Sequence, residues 1–505
     1  MEESLFIKLL ISLIVLLLLV VVVKTLYSLV WVPKRLDKHI KQQGVKGNSY
    51  KFLYGDMKQY VKLMKDAWAK PMNLTHHIAP RVVPFVNNAV QLYGRVSLIW
   101  TGKTPRLIIL VPELMQEILA DKYGHFQKPP VNALILILTR GLASLEGEKW
   151  AKHRKIINPA FQMEKLKGMV PAISTSCYEL VQHWNTLVGA QGFCEVDIWS
   201  EFENLTGDII SRTAFGSSFK EGKRIFQLQK EQATLVIEAM LTFYIPGFRF
   251  IPTKKNQRRK HLDKEIKSML RDLIHRKECV MKTEESSSDD LLSLLLQSNH
   301  QTKLEDDVSK GLTIDEVIEE CKQFYFAGQE TTSSLLTWAM VVLAMHRSWQ
   351  EKAREEVMRV CGENPPNYES INHLKIVTMV LYEVLRLYPP VVEIYRHTYK
   401  ATKVSNISLP PGVDLTLPIL LIHHDQELWG NDAEDFKPER FAEGVLNASK
   451  NNRLAFFPFG WEAKIALATI LQHFSFELSP FYTHAPYTVI TLQPQHGAQI
   501  ILHQL

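Results

Sequence analysis

The chain has 505 residues, 46% of them hydrophobic and 22% charged, with a formal net charge of +6. That balance excludes a disordered or fibrous chain, and no basic stripe interleaved with aromatics points to nucleic acid. The five cysteines (Cys177, Cys194, Cys279, Cys321 and Cys361) are odd in number and widely spaced. They exclude a disulfide framework and a C-x-x-C zinc site, and they fit a reducing, cytosol-facing body.

The N-terminus comes first. Leu9 to Val23 is apolar except at Ser12, and Leu5 to Val32 holds only two charges, Lys8 and Lys24. A bilayer core needs ~20 apolar residues in a helix, and lysines near the ends can snorkel to the headgroups. A cleavable signal peptide would have a shorter core followed by small residues. Here Trp31, Val32, Pro33, Lys34 and Arg35 follow, so residues 1–32 read as a retained anchor that meets membrane lipid. Glu2 and Glu3 lie on one side, and Lys34, Arg35, Lys38, Lys41 and Lys46 on the other. The positive-inside rule then puts the body in the cytosol. Pro33 is expected to end the helix and open a basic linker over residues 33–50. The rest, 51–505, lacks a long Gly/Ser linker and reads as one large domain, mainly helical with small sheets.

Within the body, Trp150-x-x-x-Arg154 aligns an indole and a guanidinium on one helical face. Such donors can hold a carboxylate or propionate, although taken alone a surface helix with an aromatic anchor is the preferred explanation. Glu284–Asp290 and Asn299–Lys310 are polar and read as surface loops. Leu291–Ser298, Ile314–His346 and Ser348–Val360 carry helical periodicity, and Thr313 with Asp315 and Glu316 supplies cap chemistry for the long helix.

That helix contains Ala327-Gly328-Gln329-Glu330-Thr331-Thr332. Gly328 costs ~1 kcal/mol against Ala in a helix interior, and broken local rules often mark function. The missing side chain leaves room for a ligand, to which Glu330 and Thr331 can relay protons. An incidental glycine on a polar face is the plainer alternative.

Two segments share the spacing Glu-x-x-Arg. Glu351 and Arg354 read as a solvated pair. Glu383 and Arg386 sit among Val380, Leu381, Val384, Leu385 and Leu387 and are expected to be buried, with a third partner. Arg440, in Lys437-Pro438-Glu439-Arg440-Phe441, is the candidate. Finally Tyr487–Leu492 and Gln499–Leu502, joined through Pro494 and Gly497, read as a terminal hairpin.

In this order and spacing, the A-G-x-E-T helix, the E-x-x-R helix, the P-E-R-F segment and W-x-x-x-R resemble a cytochrome P450 from anchor to last strand. Trp31-Val32-Pro33, His423-His424-Asp425 with Trp429-Gly430, and Ser475-Phe476-Glu477-Leu478-Ser479-Pro480 resemble the plant microsomal clan that includes secologanin synthase, a clan that oxidises terpenoids and hormones. The resemblance implies a cytochrome P450 fold behind a transmembrane helix in the endoplasmic reticulum membrane. It implies a haem cofactor, NADPH-cytochrome P450 reductase as electron donor, and a lipophilic substrate. Glu330 and Thr331 resemble the acid–alcohol pair that delivers protons to iron-bound dioxygen, beside Ala327 and Gly328. Glu383, Arg386 and Arg440 resemble the buried triad of the proximal side. Trp150, Arg154 and Arg396 resemble the donors to the haem propionates. Substrate contacts are expected from Ala239–Pro246 and the region after Pro390.

The same resemblance implies a cysteine thiolate on the iron, in the pattern F-x-x-G-x-R-x-C-x-G. The chain reaches Phe456-Phe457-Pro458-Phe459-Gly460-Trp461, then continues Glu462-Ala463-Lys464-Ile465-Ala466. Counting from Phe459, Glu462 stands at the glycine position, Lys464 at the arginine and Ala466 at the cysteine. No cysteine follows Cys361, so no metal ligand is assigned. The stretch from Glu462 to Phe474 resembles the helix that normally follows the cysteine loop, which places an in-frame omission between Trp461 and Glu462. By the family's geometry Cys321 lies on the distal side, and His473 would lack the thiolate push. A membrane-tethered protein without haem ligation is the alternative to the monooxygenase, as a genuine deletion or a transcript or gene-model product. Loss of loop and haem predicts a cavity near Glu330 and Arg386.

Overall fold

The structure, a computed structural model, describes residues 2–130, 135–138, 140–217, 219–240, 251–283, 290–305, 311–449, 456, 460 and 462–505. Glu2–Leu26 is one helix of 25 residues, or about 37 Å at ~1.5 Å per residue, more than the ~30 Å core of a bilayer. Its apolar side chains from Phe6 to Val23 are exposed, as a lipid-facing helix requires. Pro33 does not end the helical path. Tyr27–Trp31 forms a π turn, and Val32–Lys41 continues as α-helix with Pro33 in its first turn. Proline forgoes the intrahelical bond that an N–H at this position would make. The carbonyl four residues earlier, Leu29 O, accepts from the Tyr50 hydroxyl at 2.5 Å.

Two compact units, each discontinuous in sequence, make up the chain. The first comprises Met1–Ala67, Val83–Pro129 and Glu393–Pro418. Its six-stranded sheet runs in the order Lys46–Gly47, Val96–Thr101, Thr104–Ile109, Asp414–Leu417, Ile394–Thr398, Phe126–Gln127. Val96–Thr101 and Thr104–Ile109 pair antiparallel around Gly102, whose φ is +59°; that conformation favours glycine in a two-residue turn. Arg396 lies opposite Leu415 in this sheet.

The second unit comprises Trp68–Val82, Pro130–Val392 and Ile419–Leu505 and is mostly helical. Its long helix, Ile314–Met345, begins with the cap the sequence predicts. Glu316 N–H donates to Thr313 Oγ1 at 3.2 Å, and Thr313 N–H donates back to the Glu316 carboxylate at 3.0 Å. Such a box satisfies two otherwise orphaned donors. Beyond Thr332 nearly every residue of this helix is buried, which suits an element packed by Ile198–Phe215, Lys375–Leu387 and Ala463–His473. Aromatic stacks tie it in place, Phe215 on Tyr325 at 4.0 Å and Trp338 on Tyr388 at 4.6 Å.

Three sequence expectations change. Leu291–Glu305 is one helix, so Asn299–Lys310 is not a loop from its start; Asn299 is buried and donates to Leu312 O at 2.6 Å. Residues 284–289 and 306–310 lie outside the described residues. Tyr487–Leu492 and Gln499–Leu502 do not pair with each other. Pro486–Thr488 pairs with Leu492–Pro494, while Gln499–Gln504 lies between Phe474–Leu478 and Phe193–Asp197. A strand flanked on both sides buries more of its polar backbone than a two-stranded hairpin does. Arg354, finally, is half-buried and its hydrogen bonds go to Leu471 O, Gln350 and Phe474 O, not to the exposed Glu351.

Candidate active site

The helix Lys375–Leu387 starts after Leu374, which cannot cap it. The buried Glu356 does so from outside, accepting from the amides of Lys375, Ile376 and Val377 at 2.8, 2.9 and 3.0 Å. A carboxylate at a helix N-terminus answers both the orphaned donors and the dipole. Thus fixed, the helix carries Glu383 and Arg386 fully buried. Arg386 binds Glu383 in fork geometry, Nε to Oε2 at 2.8 Å and Nη2 to Oε1 at 2.7 Å. It also donates to His423 O at 2.8 Å, to Ala433 O, and to Asp435 O at 3.2 Å, over the Trp429 ring. Lys437 N–H donates to Glu383 at 3.0 Å, and Arg440 Nε lies 3.4 Å from the same carboxylate oxygen. Arg440 is tied further to Trp429 O at 3.1 Å and to Asp432. With Glu383 and Arg386 bonded to each other and to the surrounding backbone, a buried charge cluster of this kind is tolerated.

Glu330 and Thr331 diverge. The Glu330 carboxyl accepts from Thr491 Oγ1 at 3.1 Å and Gln493 Nε2 at 3.2 Å. Burial, with Glu203 adding to it, pushes its pKa up to about 7. Thr331 Oγ1 donates to Ala327 O at 2.9 Å, and Ala327 is exposed. Gly328 does not leave a free space. A Cβ there would lie 2.7 Å from Ile210 Cγ1, so the glycine serves the close approach of Ile198–Phe215. Thr206 Oγ1 donating to Gln329 O at 3.0 Å seals the same contact.

Trp150 and Arg154 share the exposed face of Gly147–Ile157, whose buried face holds His153 and Ile157. Arg396 is half-buried in the first unit and donates to Tyr395 O at 2.9 Å.

The five cysteines are free and lie on five different elements. Burial, with Asp208 nearby, pushes the Cys177 thiol up to about 12 and raises that of Cys321 as well. Among the described residues no His/Cys/Asp/Glu group is arranged for a metal ion. Phe457, Pro458, Phe459 and Trp461 lie outside the described residues, as do residues 241–250. Phe456 is buried against Tyr382, Phe441 and His423, so the returning chain arrives beside the triad. Gly460 then meets the long helix: its φ is +86°, and a Cβ would lie 2.6 Å from Leu335 Cδ2. Glu462 is half-buried, and burial raises the pKa of its carboxyl. Ala466, at the position counted for the cysteine, is buried at 1% exposure in Ala463–His473.

Sequence reasoning missed Glu356, Thr491 and Gln493, and it missed the place of Trp429 against Arg386. It also missed the carbonyls around Arg386, because a backbone acceptor carries no residue signature.

The family model described as Cytochrome P450 matches residues 80–499. The chain is 54% identical over 490 residues to "Cytochrome P450 CYP72A616" of Paris polyphylla, covering 94% of each. It is 48% identical over 496 residues to "7-deoxyloganic acid hydroxylase" of Catharanthus roseus, covering 94% of this chain and 95% of that one. With "Cytochrome P450 716A67" of Medicago truncatula it is 46% identical over 521 aligned positions covering 100% of both. Since this chain has 505 residues, at least 16 of those positions have no residue here. Among solved structures, "Retinoic acid bound cyanobacterial CYP120A1" shares the fold with a TM-score of 0.75 at 21% identity, over 91% of this chain and 99% of that one.

Haem is the cofactor that this family and fold imply. The residues present do not fit a thiolate-bound haem. The two fully buried thiols whose pKa is raised favour the protonated form, and the counted ligand position holds a sealed alanine. The family model spans most of the chain, and relatives about half identical to it cover nearly all of it; the chain belongs to the cytochrome P450 family.

Proposed function

We propose that this chain is the framework of a monooxygenase of lipophilic plant metabolites, terpenoid or hormone type. Dioxygen and electrons from NADPH-cytochrome P450 reductase would be its co-substrates. The observation that carries the reading is the buried Glu383–Arg386–Arg440 cluster, which resembles the triad of the family's proximal side. A relative named as a hydroxylase of 7-deoxyloganic acid supports a terpenoid-type substrate. In this reading residues 1–32 anchor the chain in the endoplasmic reticulum, 33–50 link it, and 51–505 form the domain facing the cytosol. Glu330 and Thr331 are its acid and alcohol, Trp150, Arg154 and Arg396 its carboxylate donors, and the exposed Ala327 its ligand-facing residue.

One observation favours a second reading for the chain as it stands. It has no cysteine after Cys361, so it lacks the thiolate that supports O–O cleavage and is catalytically silent. Both readings are tested in microsomes containing the reductase, with 7-deoxyloganic acid and triterpenoids as probes. The unaltered chain is expected to give no thiolate-type band in a reduced, carbon-monoxide difference spectrum and no product. A variant carrying a G-x-R-x-C-x-G segment after Trp461 is expected to give both. Product from the unaltered chain sinks the silent reading. A haem-loaded variant that oxidises none of the probes counts against the substrate class.

A further inference from the structure

The N-terminal helix and the sheet of the first unit meet at a built joint. Lys24 closes the apolar run, and Leu29 lies three residues past the end of Glu2–Leu26. In an anchor longer than the hydrocarbon core, that places the Leu29 carbonyl at the level of the headgroups. Tyr27 and Trp31, exposed and stacked at 5.9 Å, suit the same layer. The Leu29 carbonyl accepts from the Tyr50 hydroxyl at 2.5 Å, and Lys103 Nζ donates to Ser28 Oγ at 2.8 Å. Both donors are mounted on the sheet. Tyr50 packs on Trp100 of Val96–Thr101 at 5.0 Å, and Lys103 stands in the turn that follows this strand. The segment between anchor and Tyr50 is folded too. Ile40 is buried, and the Gln43 side chain exchanges hydrogen bonds with the Ser408 backbone at 3.0 and 2.6 Å. The chain therefore leaves the anchor on a fixed path, and whatever flanks Tyr50 is held within reach of the headgroups.

The loop 51–58 is what flanks it. The Tyr50 oxygen also accepts from Leu53 N–H at 3.2 Å, and Leu53 takes a φ of +64°, a conformation uncommon outside glycine. A Cβ on Gly55 would lie 2.5 Å from Gly102 O, and Trp100 N–H donates to the buried Asp56 at 2.9 Å. The base of the loop is thus pinned to the sheet. Its outer side chains face away: Phe52 is 55% exposed and Tyr54 39% exposed, with Lys58 Nζ 4.3 Å over the Tyr54 ring. Lys51, Lys58 and Lys103 are exposed as well. A single exposed apolar side chain needs no explanation. Two aromatic rings among three lysines, on a pinned loop beside a membrane exit, have the composition of an interfacial contact. The rings suit the headgroup layer and the cations suit anionic lipid.

We infer, resting on the anchor reading above, that the loop 51–58 is a second membrane contact: Phe52 and Tyr54 rest in the headgroup layer, Lys51, Lys58 and Lys103 face anionic phospholipid, and the bond from Tyr50 to Leu29 O holds the loop there. The first unit then sits on the bilayer at a set tilt instead of swivelling on a loose tether.

The test uses the full chain in nanodiscs of phosphatidylcholine and phosphatidylserine. F52C in a C279S background carries an environment-sensitive thiol dye, and C279S alone corrects for labelling of the remaining cysteines. The dye is expected to emit to the blue, to lose most of its emission to a lipid spin-labelled at the headgroup, and to lose little to a water-soluble quencher. Adding Y50F, with the melt unchanged, is expected to reverse the two quenching responses. Adding K51E/K58E is expected to shift the emission back to the red when phosphatidylserine is present. A dye that the water-soluble quencher reaches freely overturns the contact. Quenching unmoved by Y50F overturns the clamp, and emission unmoved by K51E/K58E overturns the role of anionic lipid. A readout without dye uses the unaltered chain and a lipid with a photoreactive headgroup: cross-links mapped to 51–58 support the contact, and their absence beside cross-links at Tyr27–Trp31 overturns it. Alkaline carbonate extraction of microsomes tests the anchor separately. A released chain sinks the anchor reading and this inference with it, whereas a retained chain with position 52 in water sinks the contact alone.

Discussion

Two helices of this protein carry the same spacing, a glutamate three residues before an arginine, and the structure treats them in opposite ways. In Lys375–Leu387, Arg386 turns onto Glu383 with two parallel hydrogen bonds and both groups are fully buried. In Arg347–Cys361, Arg354 leaves the exposed Glu351 alone and turns inward to Leu471 O and Phe474 O. Spacing places two side chains on one face, but the surroundings decide whether they meet. Glu383 is sealed from solvent, and its carboxylate is satisfied by the Arg386 fork together with the Lys437 amide. Beside Glu351 water solvates the acid, whereas the carbonyls at the end of Ala463–His473 need a donor. Those carbonyls take the arginine.

The contrast is sharpest if one partner of the buried pair is removed. Arg386→Leu strands a buried carboxylate and leaves the carbonyls of His423, Ala433 and Asp435 without their donor. The expected loss is about 3–5 kcal/mol, read as a drop in melting temperature of the detergent-solubilised chain. Arg386→Lys keeps the charge but not the fork and is expected to recover only part of it. A loss below about 1 kcal/mol for Arg386→Leu would show that the cluster is not the clamp its geometry suggests.

Much of this cluster was legible beforehand, and the reason is local. Val380, Leu381, Val384, Leu385 and Leu387 surround the pair within one helix, so burial follows from the sequence alone. The Thr313–Glu316 box is local in the same sense. What was not legible depends on partners far along the chain. Pro33 continues a helix through a π turn, and Tyr50 supplies a donor beside it. Gly328 answers to Ile210, and Gln499–Gln504 is claimed by strands near residues 195 and 476 instead of its nearest neighbour. The missing cysteine was legible as a count. That Gly460 lies against Leu335 was not, because no pattern in the sequence says which distant side chain a loop glycine will meet.

A third acid extends the comparison. Glu330 is buried too, at 6% exposure against 0% for Glu383, yet its hydrogen-bond partners are the neutral Thr491 and Gln493. Burial therefore raises its pKa from 4.5 to about 7. The folded state then binds a proton that the unfolded state has released, so stability falls as pH rises from about 4.5 to about 7 and stays reduced above that. Glu330→Gln keeps the shape and removes the titration. At pH 8 it is expected to be more stable than the unaltered chain by on the order of 3 kcal/mol, with the difference vanishing toward pH 4–5. Melts across this range check it. Parallel curves for the two proteins at every pH would mean that Glu330 has an ordinary pKa.

The smallest effects decide whether the Glu351 helix truly lacks a pair. Arg354→Ala removes donors from two helix-end carbonyls and from Gln350, an expected loss of about 1–2 kcal/mol. Glu351→Ala alters a solvated acid and is expected to stay within about 0.5 kcal/mol. In a double-mutant cycle the coupling of Glu351 with Arg354 is expected near zero, whereas the same cycle on Glu383 and Arg386 is expected to give a coupling of a few kcal/mol. Equal couplings in the two cycles would return the decision to spacing. Unequal ones, with the first close to zero, assign it to the partners each helix meets: carbonyls at the end of Ala463–His473 for Arg354, and a carboxylate sealed from water for Arg386.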